Sequence, residues 1–389
     1  MIYEISNKNR FVKATVNLPS SKSISNRALI INALSYNPYP LRNLCDSDDT
    51  VVLSAALNSN SNKFDIGHAG TAMRFLTAFL AKIVGEWEVT GSERMQQRPI
   101  SILVDALKSL GAQIEYTGNE GFPPLKILGS HLTGKTIELD GSVSSQYISA
   151  LLLIAPTIEN GLTLKLKGEI TSRSYIELTL KLMAKFGIQY RWEGNEITVP
   201  EQNYFPRDFT VEADWSGASY WYEILSLCDS GEILLKNLEL ESLQGDANIA
   251  GWFTQFGVHS IQKSEGVLLT KNENTSPKKL THDFIENPDV AQTMVCLCVA
   301  KKIPFHFEGL KTLKIKETDR ISALQNELAK FGAILTEPKE GELAWNGIIN
   351  STVKNPLIET YHDHRMALAF APMVLAVNQL QTRRGGLMG

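Results

Sequence analysis

The sequence predicts an α/β fold, on three observations. A segment built as helix, glycine, strand recurs four times. The stretches between copies hold short runs that alternate apolar and polar residues, as half-buried strands do. Finally, 43% of the 389 residues are hydrophobic, which is ample for buried cores. The recurring segments are 103–116, 178–192, 249–261 and 323–337, and their glycines, Gly111, Gly187, Gly257 and Gly332, are spaced by 76, 70 and 75 residues. A glycine there takes the left-handed position that closes a helix, and the β-branched and aromatic residues after it suit a strand. A period of this size leaves room for between five and six copies, and an earlier one fits 29–66 without the glycine. Strand-like runs lie at 162–167, 232–236 and 303–307, Pro-containing polar linkers at 200–208 and 272–279, and a domain junction is expected near Ala213.

The net charge of -4 and the lack of a long basic run argue against general affinity for nucleic acid or acidic membranes, so any cationic site is local. Cys45, Cys228, Cys296 and Cys298 form no Cys-x-x-Cys pair; Cys296 and Cys298, in the apolar run 294–300, read as buried thiols, and a reduced compartment is expected. No signal segment opens the chain and no apolar run reaches membrane-spanning length, so a soluble, cytoplasmic protein is expected.

The first chemical signal is Pro19-Ser20-Ser21-Lys22-Ser23-Ile24-Ser25-Asn26-Arg27, two cations among serines just before an apolar run. Unpaired N–H groups of a first helical turn, hydroxyls and cations together suit a phosphate or carboxylate; a capped helix that binds nothing is the other reading. Gly67-His68-Ala69-Gly70-Thr71-Ala72-Met73-Arg74 is a small-residue turn into a helix, open to close ligand approach or to tight packing. Arg98 directly precedes Pro99, so its backbone is expected to be extended at a helix entrance; a solvated surface arginine is the plainer alternative. Asp140-Gly141-Ser142-Val143-Ser144-Ser145-Gln146 supplies uncharged donors, or merely a serine-rich cap.

Further on, Asn287-Pro288-Asp289 precedes an apolar helix, and Asp289 reads as its N-cap or, in a cleft, as a base. In Lys314-Ile315-Lys316-Glu317-Thr318-Asp319-Arg320, helical spacing would put Lys316 and Arg320 on one face with Glu317 beside both. A carboxylate between two cations stays ionised until a ligand anion competes for them; a surface salt-bridge ladder is the alternative. His362-Asp363-His364-Arg365 opens a helix, where the two imidazoles would diverge, so no metal is expected.

Taken in order from Leu18 to about Val377, these segments resemble those of the 5-enolpyruvylshikimate-3-phosphate synthase family, the 3-phosphoshikimate 1-carboxyvinyltransferases. The segments that carry the likeness are Ser21-Lys22-Ser23-Ile24-Ser25-Asn26-Arg27-Ala28, Ala69-Gly70-Thr71-Ala72-Met73-Arg74, Asp140-Gly141-Ser142-Val143-Ser144-Ser145-Gln146, Lys316-Glu317-Thr318-Asp319-Arg320 and Asp363-His364-Arg365-Met366-Ala367. A sister family acting on UDP-N-acetylglucosamine typically has a reactive cysteine in a Gly-rich loop, and no cysteine here sits in such a setting. The resemblance implies two similar domains, each of three βαβαββ-type units, closing over a cleft fed by helix N-termini. The domains would be 21–213, on the shikimate 3-phosphate side, and 1–20 with 214–389, on the phosphoenolpyruvate side.

It also implies transfer of the enolpyruvyl group of phosphoenolpyruvate to the 5-hydroxyl of shikimate 3-phosphate, with phosphate released, in aromatic amino-acid biosynthesis. By position, Lys22 would touch both substrates and aid proton transfer to the leaving phosphate. Ser23, Arg27, Ser144, Ser145, Ser172 and Lys316 would hold shikimate 3-phosphate; Gly70 with its neighbour Thr71, Arg98, Gln146, Arg320 and Arg365 would hold phosphoenolpyruvate. Asp289 matches the group that takes the 5-hydroxyl proton, and Glu317 the one that protonates the methylene carbon and later removes that proton. No metal or organic cofactor is implied, no partner beyond the two substrates, and a monomer is the default.

Two departures lie in one loop, His68 for an expected Asn and Phe75 for a frequent Pro, near the pocket where the inhibitor glyphosate acts in the family. The larger one is the tail from Asn378 to Gly389, where a final strand, a lysine-bearing motif and a closing helix are expected to be missing, leaving the sixth unit incomplete and Arg383-Arg384-Gly385-Gly386 as a disordered end. Three readings follow: a working synthase, a related enolpyruvyl transferase with another acceptor, and a non-catalytic homologue that still binds shikimate 3-phosphate.

Overall fold

The computed structural model describes residues 2–7, 9–350, 356–377 and 379–383. The chain divides into two compact units, Pro19–Glu212 and Met1–Leu18 with Ala213–Gly389. Among the described residues, three small sheets belong to each unit.

One connection pattern recurs in both. In Pro19–Glu212, strand Lys63–Asp65 runs parallel to Glu86–Thr90, and helix Gly70–Lys82 makes the crossover that a parallel pair requires. Helix Ser101–Ser109 follows, then the hairpin Gln113–Tyr116 and Leu125–Leu128, whose second strand lies antiparallel to Glu86–Thr90. Strands Thr136–Asp140 and Leu162–Lys167, helices Ser145–Ile154 and Arg173–Lys185, and hairpin Arg191–Glu193 with Glu196–Val199 repeat the pattern. A short parallel pair, Leu41–Arg42 with Phe209–Thr210, is the third sheet.

In the other unit, Phe11–Asn17 pairs in parallel with Ser230–Lys236, and hairpin Val258–Lys263 with Gly266–Lys271 returns onto it. Leu280–Asp283 and Phe305–Glu308 form the next parallel pair across helix Ala291–Lys301, with Leu343–Trp345 antiparallel to them. The glycines expected to close helices, Gly111, Gly187, Gly257 and Gly332, all have positive φ, from 77° to 105°. The third repeat is less helical than expected: a four-residue turn, Ile249–Trp252, passes into a 3-10 turn, Phe253–Phe256.

The tail departs from expectation. Gln379–Arg383 is a strand, parallel to Leu357–Glu359 and antiparallel to the N-terminal strand Ile2–Ser6. Leu380 and Thr382 alternate into the interior, which is why a stretch that looks polar in sequence pairs on both edges. The final strand is therefore present. Arg383, expected to open a disordered end, is the last residue of that strand, and the rest of that expected end lies at 384–389, outside the described residues.

Helices Lys22–Leu34, Gly70–Lys82 and Ser145–Ile154 pack on one another within Pro19–Glu212. Their apolar residues run nearly all round the helix, as in Ile148, Leu151, Leu152, Leu153 and Ile154, all fully buried. Each such side chain contributes about 1.5–3 kcal/mol relative to exposure. In the other unit helix Ala291–Lys301 packs against Trp215–Leu227 and His364–Phe370. Five of these six helices, all but Trp215–Leu227, begin at or beside the sequence motifs. All four cysteines are free and buried, and no described helix is long and apolar enough to cross a membrane.

Candidate active site

In Pro19–Glu212 the motif residues meet where helices begin. Ser21 caps Lys22–Leu34 by accepting from Ile24 N, which leaves Lys22 in the first turn with its Nζ 3.7 Å from Asp49 Oδ2. The other Asp49 oxygen accepts from Thr71 N at 2.9 Å, and Thr71 Oγ1 accepts from Gln146 Nε2 at 3.2 Å. Three helix starts are thus joined through Asp49 and Thr71. Ser144 caps the third by accepting from Gln146 N, with Ser145 as that helix's first residue. Ser172 precedes helix Arg173–Lys185 in the left-handed conformation, φ 54°. A non-glycine residue there is held by its surroundings rather than by its own preference.

Arg27 is 3% exposed and gives its donors to neutral acceptors: Thr179 Oγ1 at 2.6 Å, Ser149 Oγ at 3.0 Å and Ser23 O at 2.8 Å. Burial lowers its pKa to about 10, so it remains a cation at neutral pH. Of the cations expected in this unit it is the most enclosed, and its Ser23 contact fixes the first turn that carries Lys22.

Arg98 lies against Gly70. A Cβ built on Gly70 would stand 2.5 Å from Arg98 Nη1 and 2.8 Å from Nη2, so only glycine admits the guanidinium here. The buried Arg74 joins the same two segments: its Nη1 donates to Gly70 O at 2.9 Å and its Nη2 to Pro99 O at 3.3 Å. Tyr147 OH also donates to Pro99 O. His68 sits at the turn with Nδ1 2.9 Å from Ser92 Oγ.

The second cluster lies in the unit containing Ala213–Gly389. Asp289, largely buried, faces three cations: Arg320 Nη1 at 3.3 Å, Arg365 Nη2 at 3.2 Å and Lys316 Nζ at 3.7 Å. Arg320, 1% exposed, also donates to Glu317 Oε2 at 2.7 Å and through Nε to Asp363 Oδ2 at 2.7 Å. Asp363 Oδ1 caps the next helix by accepting from Arg365 N at 2.9 Å. Burial works to raise the Glu317 pKa, but Arg320, the residue's own backbone N–H and Arg365 outweigh it and hold the carboxylate below its usual range. Burial likewise opposes the Arg320 charge, yet Asp289, Asp363 and Glu317 raise its pKa.

Behind Asp289 lies Asp246, whose Oδ1 accepts from Asn287 Nδ2 at 3.0 Å and whose other oxygen accepts from Ser216 Oγ. Burial, aided by the Asp289 charge, pushes its pKa up to about 6 against the pull of those donors.

Two local expectations are corrected. Lys316 and Arg320 do not share a helix face: the helix is Arg320–Ala329, capped by Asp319, and Lys316 to Thr318 form a bend. The two cations still converge, through Asp289. Nor does Asp289 cap a helix: Pro288–Val290 is a 3-10 turn, and the carboxylate turns to the cations, which form stronger charge-assisted bonds than a backbone N–H. Asp49, Asp246 and Asp363 were not among the expected site residues, although Asp363 shows a cap signal just before its helix. Among the described residues, one group has metal-ligand spacing, His306, Glu308 and Glu342; it excludes His362 and His364, and Lys339 pairs with Glu342 there.

The chain matches the family described as EPSP synthase (3-phosphoshikimate 1-carboxyvinyltransferase) over residues 6–59 and 52–385, which includes the strand Gln379–Arg383. A Bacteroides fragilis protein named 3-phosphoshikimate 1-carboxyvinyltransferase is 52% identical over 371 residues, 95% of this chain and 90% of that protein. An Aliivibrio fischeri protein of the same name is 36% identical over 394 residues, covering 94% and 91%. The solved EPSP synthase of Acinetobacter baumannii superimposes with a TM-score of 0.79 over 98% of this chain and 94% of that one, at 19% identity, and so shares the fold.

Proposed function

This chain belongs to the EPSP synthase (3-phosphoshikimate 1-carboxyvinyltransferase) family, and from that premise we propose how its residues carry the family's reaction. The enolpyruvyl group of phosphoenolpyruvate passes to the 5-hydroxyl of shikimate 3-phosphate, and phosphate leaves. Shikimate 3-phosphate is held by Lys22, Ser23, Arg27, Ser144, Ser145, Ser172 and Lys316. Phosphoenolpyruvate is held by Gly70, Thr71, Arg98, Gln146, Arg320 and Arg365. The Pro19–Glu212 unit contributes most of the shikimate 3-phosphate set.

The observation that carries the reading is the gathering of Lys316, Arg320 and Arg365 on one largely buried carboxylate, Asp289, in a protein of net charge -4. An anionic substrate reaching Arg320 and Arg365 competes with Asp289 and Glu317 for their charge, so both carboxylates become better bases as it binds. Asp289 then takes the 5-hydroxyl proton as the oxygen bonds to the central carbon of phosphoenolpyruvate; Glu317, which takes up a solvent proton as the substrate draws its cations away, gives that proton to the methylene carbon. In the tetrahedral intermediate, Glu317 takes a proton back from the resulting methyl group, the double bond re-forms, and the bond to phosphate breaks. Lys22 stabilises the departing oxygen.

The test is phosphate release by the purified protein. Release that requires both substrates, and that Asp289→Asn lowers at least about a hundredfold in kcat, supports the reading. Release with neither or one substrate, or an unaffected Asp289→Asn, contradicts it.

A further inference from the structure

Helix Arg320–Ala329 holds the 357–365 segment at a second place that the proposed chemistry does not use. Two turns beyond Arg320, the carboxylate of Glu327 is 1% exposed and accepts from Tyr361 OH at 2.7 Å and from Glu359 N at 3.0 Å. Lys330 binds the same carboxylate and also donates to Leu357 O at 2.7 Å. These contacts surround a tight turn, closed by Asp363 N donating to Thr360 O at 2.8 Å. Its central residues, Tyr361 and His362, have φ of 53° and 58°. Two consecutive left-handed residues suit Asn or Gly; a tyrosine and a histidine persist there only if outside contacts impose the shape. The residue after the turn is Asp363, which grips Arg320 and caps the helix that starts Arg365 on its way to Asp289.

We infer that Glu327 and Tyr361 are positioning residues: through the strained 360–363 turn they set where Asp363 and Arg365 stand, and so the geometry of the phosphoenolpyruvate-binding arginines. The inference rests on the proposed function for the identity of the ligand but not for the placement of Arg365. Glu327 and Arg320, on one helix, act as two fasteners of the same segment. Releasing the first leaves Arg365 free to leave Asp289 while the sheets remain intact.

The experiment uses the full chain with Tyr361→Phe and, as a milder probe of the same contact, Glu327→Gln. Arginine modification by phenylglyoxal, read by peptide mass spectrometry, reports how tightly each arginine is held. Arg365 is expected to react about tenfold faster in Tyr361→Phe, with Arg10 of the same unit unchanged. Alongside this, the KM for phosphoenolpyruvate should rise about tenfold while the Kd of shikimate 3-phosphate stays within about twofold. An Arg365 rate equal to the parent's in both variants overturns the inference. So does acceleration at every arginine together with a lowered Tm, which is the mark of a merely structural role. If the parent releases no phosphate, the proposed function fails while the Arg365 rates still decide the placement.

Discussion

Replacing Gly70 by alanine is expected to weaken phosphoenolpyruvate binding by about tenfold to a hundredfold without harming the fold. A Cβ at that position would stand 2.5 Å from Arg98 Nη1, 2.8 Å from Nη2 and 2.9 Å from Cζ. Carbon and nitrogen atoms out of contact strain sit about 3.5 Å apart, so the guanidinium must retreat by about 1 Å. The clash falls on the end of a flexible side chain, so the backbone need not move. Gly70 is also the first residue of its helix, where alanine is as good or better. A charge-assisted hydrogen bond displaced by that distance loses most of its worth, about 1.5–3 kcal/mol, which converts to the stated range. Steady-state kinetics of Gly70→Ala should show the phosphoenolpyruvate KM raised and the shikimate 3-phosphate Kd within about twofold of the parent, with Tm no lower. An unchanged phosphoenolpyruvate KM would refute the placement of Arg98 in that subsite.

Three further outcomes concern stability. Glu223 is fully buried, neither of its carboxylate oxygens has a hydrogen-bond partner among the described residues, and burial raises its pKa well above the usual value. The folded state therefore keeps a proton that the unfolded chain loses, so this group's contribution to stability is full below about pH 4.5 and falls by about 1.4 kcal/mol per pH unit above it until the folded pKa is reached. Glu223→Gln should flatten that slope and raise stability more at pH 8 than at pH 5, as urea unfolding at the two pH values would show. For Asp246, with a folded pKa of about 6 against 3.8, the same sign gives a loss of about 3 kcal/mol between those values, absent in Asp246→Asn. Arg74→Met strips Gly70 O and Pro99 O of a buried donor and should cost about 2–4 kcal/mol, visible as a fall in Tm.

Much of the fold was legible because its signals are local. A glycine that closes a helix acts on its own turn, so Gly111, Gly187, Gly257 and Gly332 mark the repeats, and the alternation at 162–167 becomes the strand Leu162–Lys167. Pairing between distant segments leaves no such trace. Nothing in Phe11–Asn17 says that it will lie beside Ser230–Lys236, and nothing in Gln379–Arg383 says that Ile2–Ser6 will flank it. The missing-strand expectation failed for this reason. At the site, the residues proposed to react, Lys22, Asp289 and Glu317, stand in local motifs, whereas the contacts of Asp49, Asp246 and Asp363 come only from tertiary neighbours. The misjudged helix face at Lys316 had a local remedy: Asp319 with Ser322 three residues on is an N-cap pattern, and Asp319 Oδ1 does accept from Ser322 N at 3.1 Å.

The assignment of Glu317 as the group that gives and retakes the methylene proton is tested most directly by running the reaction in D2O. A carboxyl proton exchanges with solvent, so the methyl group of the intermediate gains one deuterium and keeps it in part of the product. The account predicts deuterium in the vinyl group of the product, read by mass spectrometry, and a loss of both turnover and exchange in Glu317→Gln. Product formed without deuterium, or exchange at the parent's rate in Glu317→Gln, would contradict it.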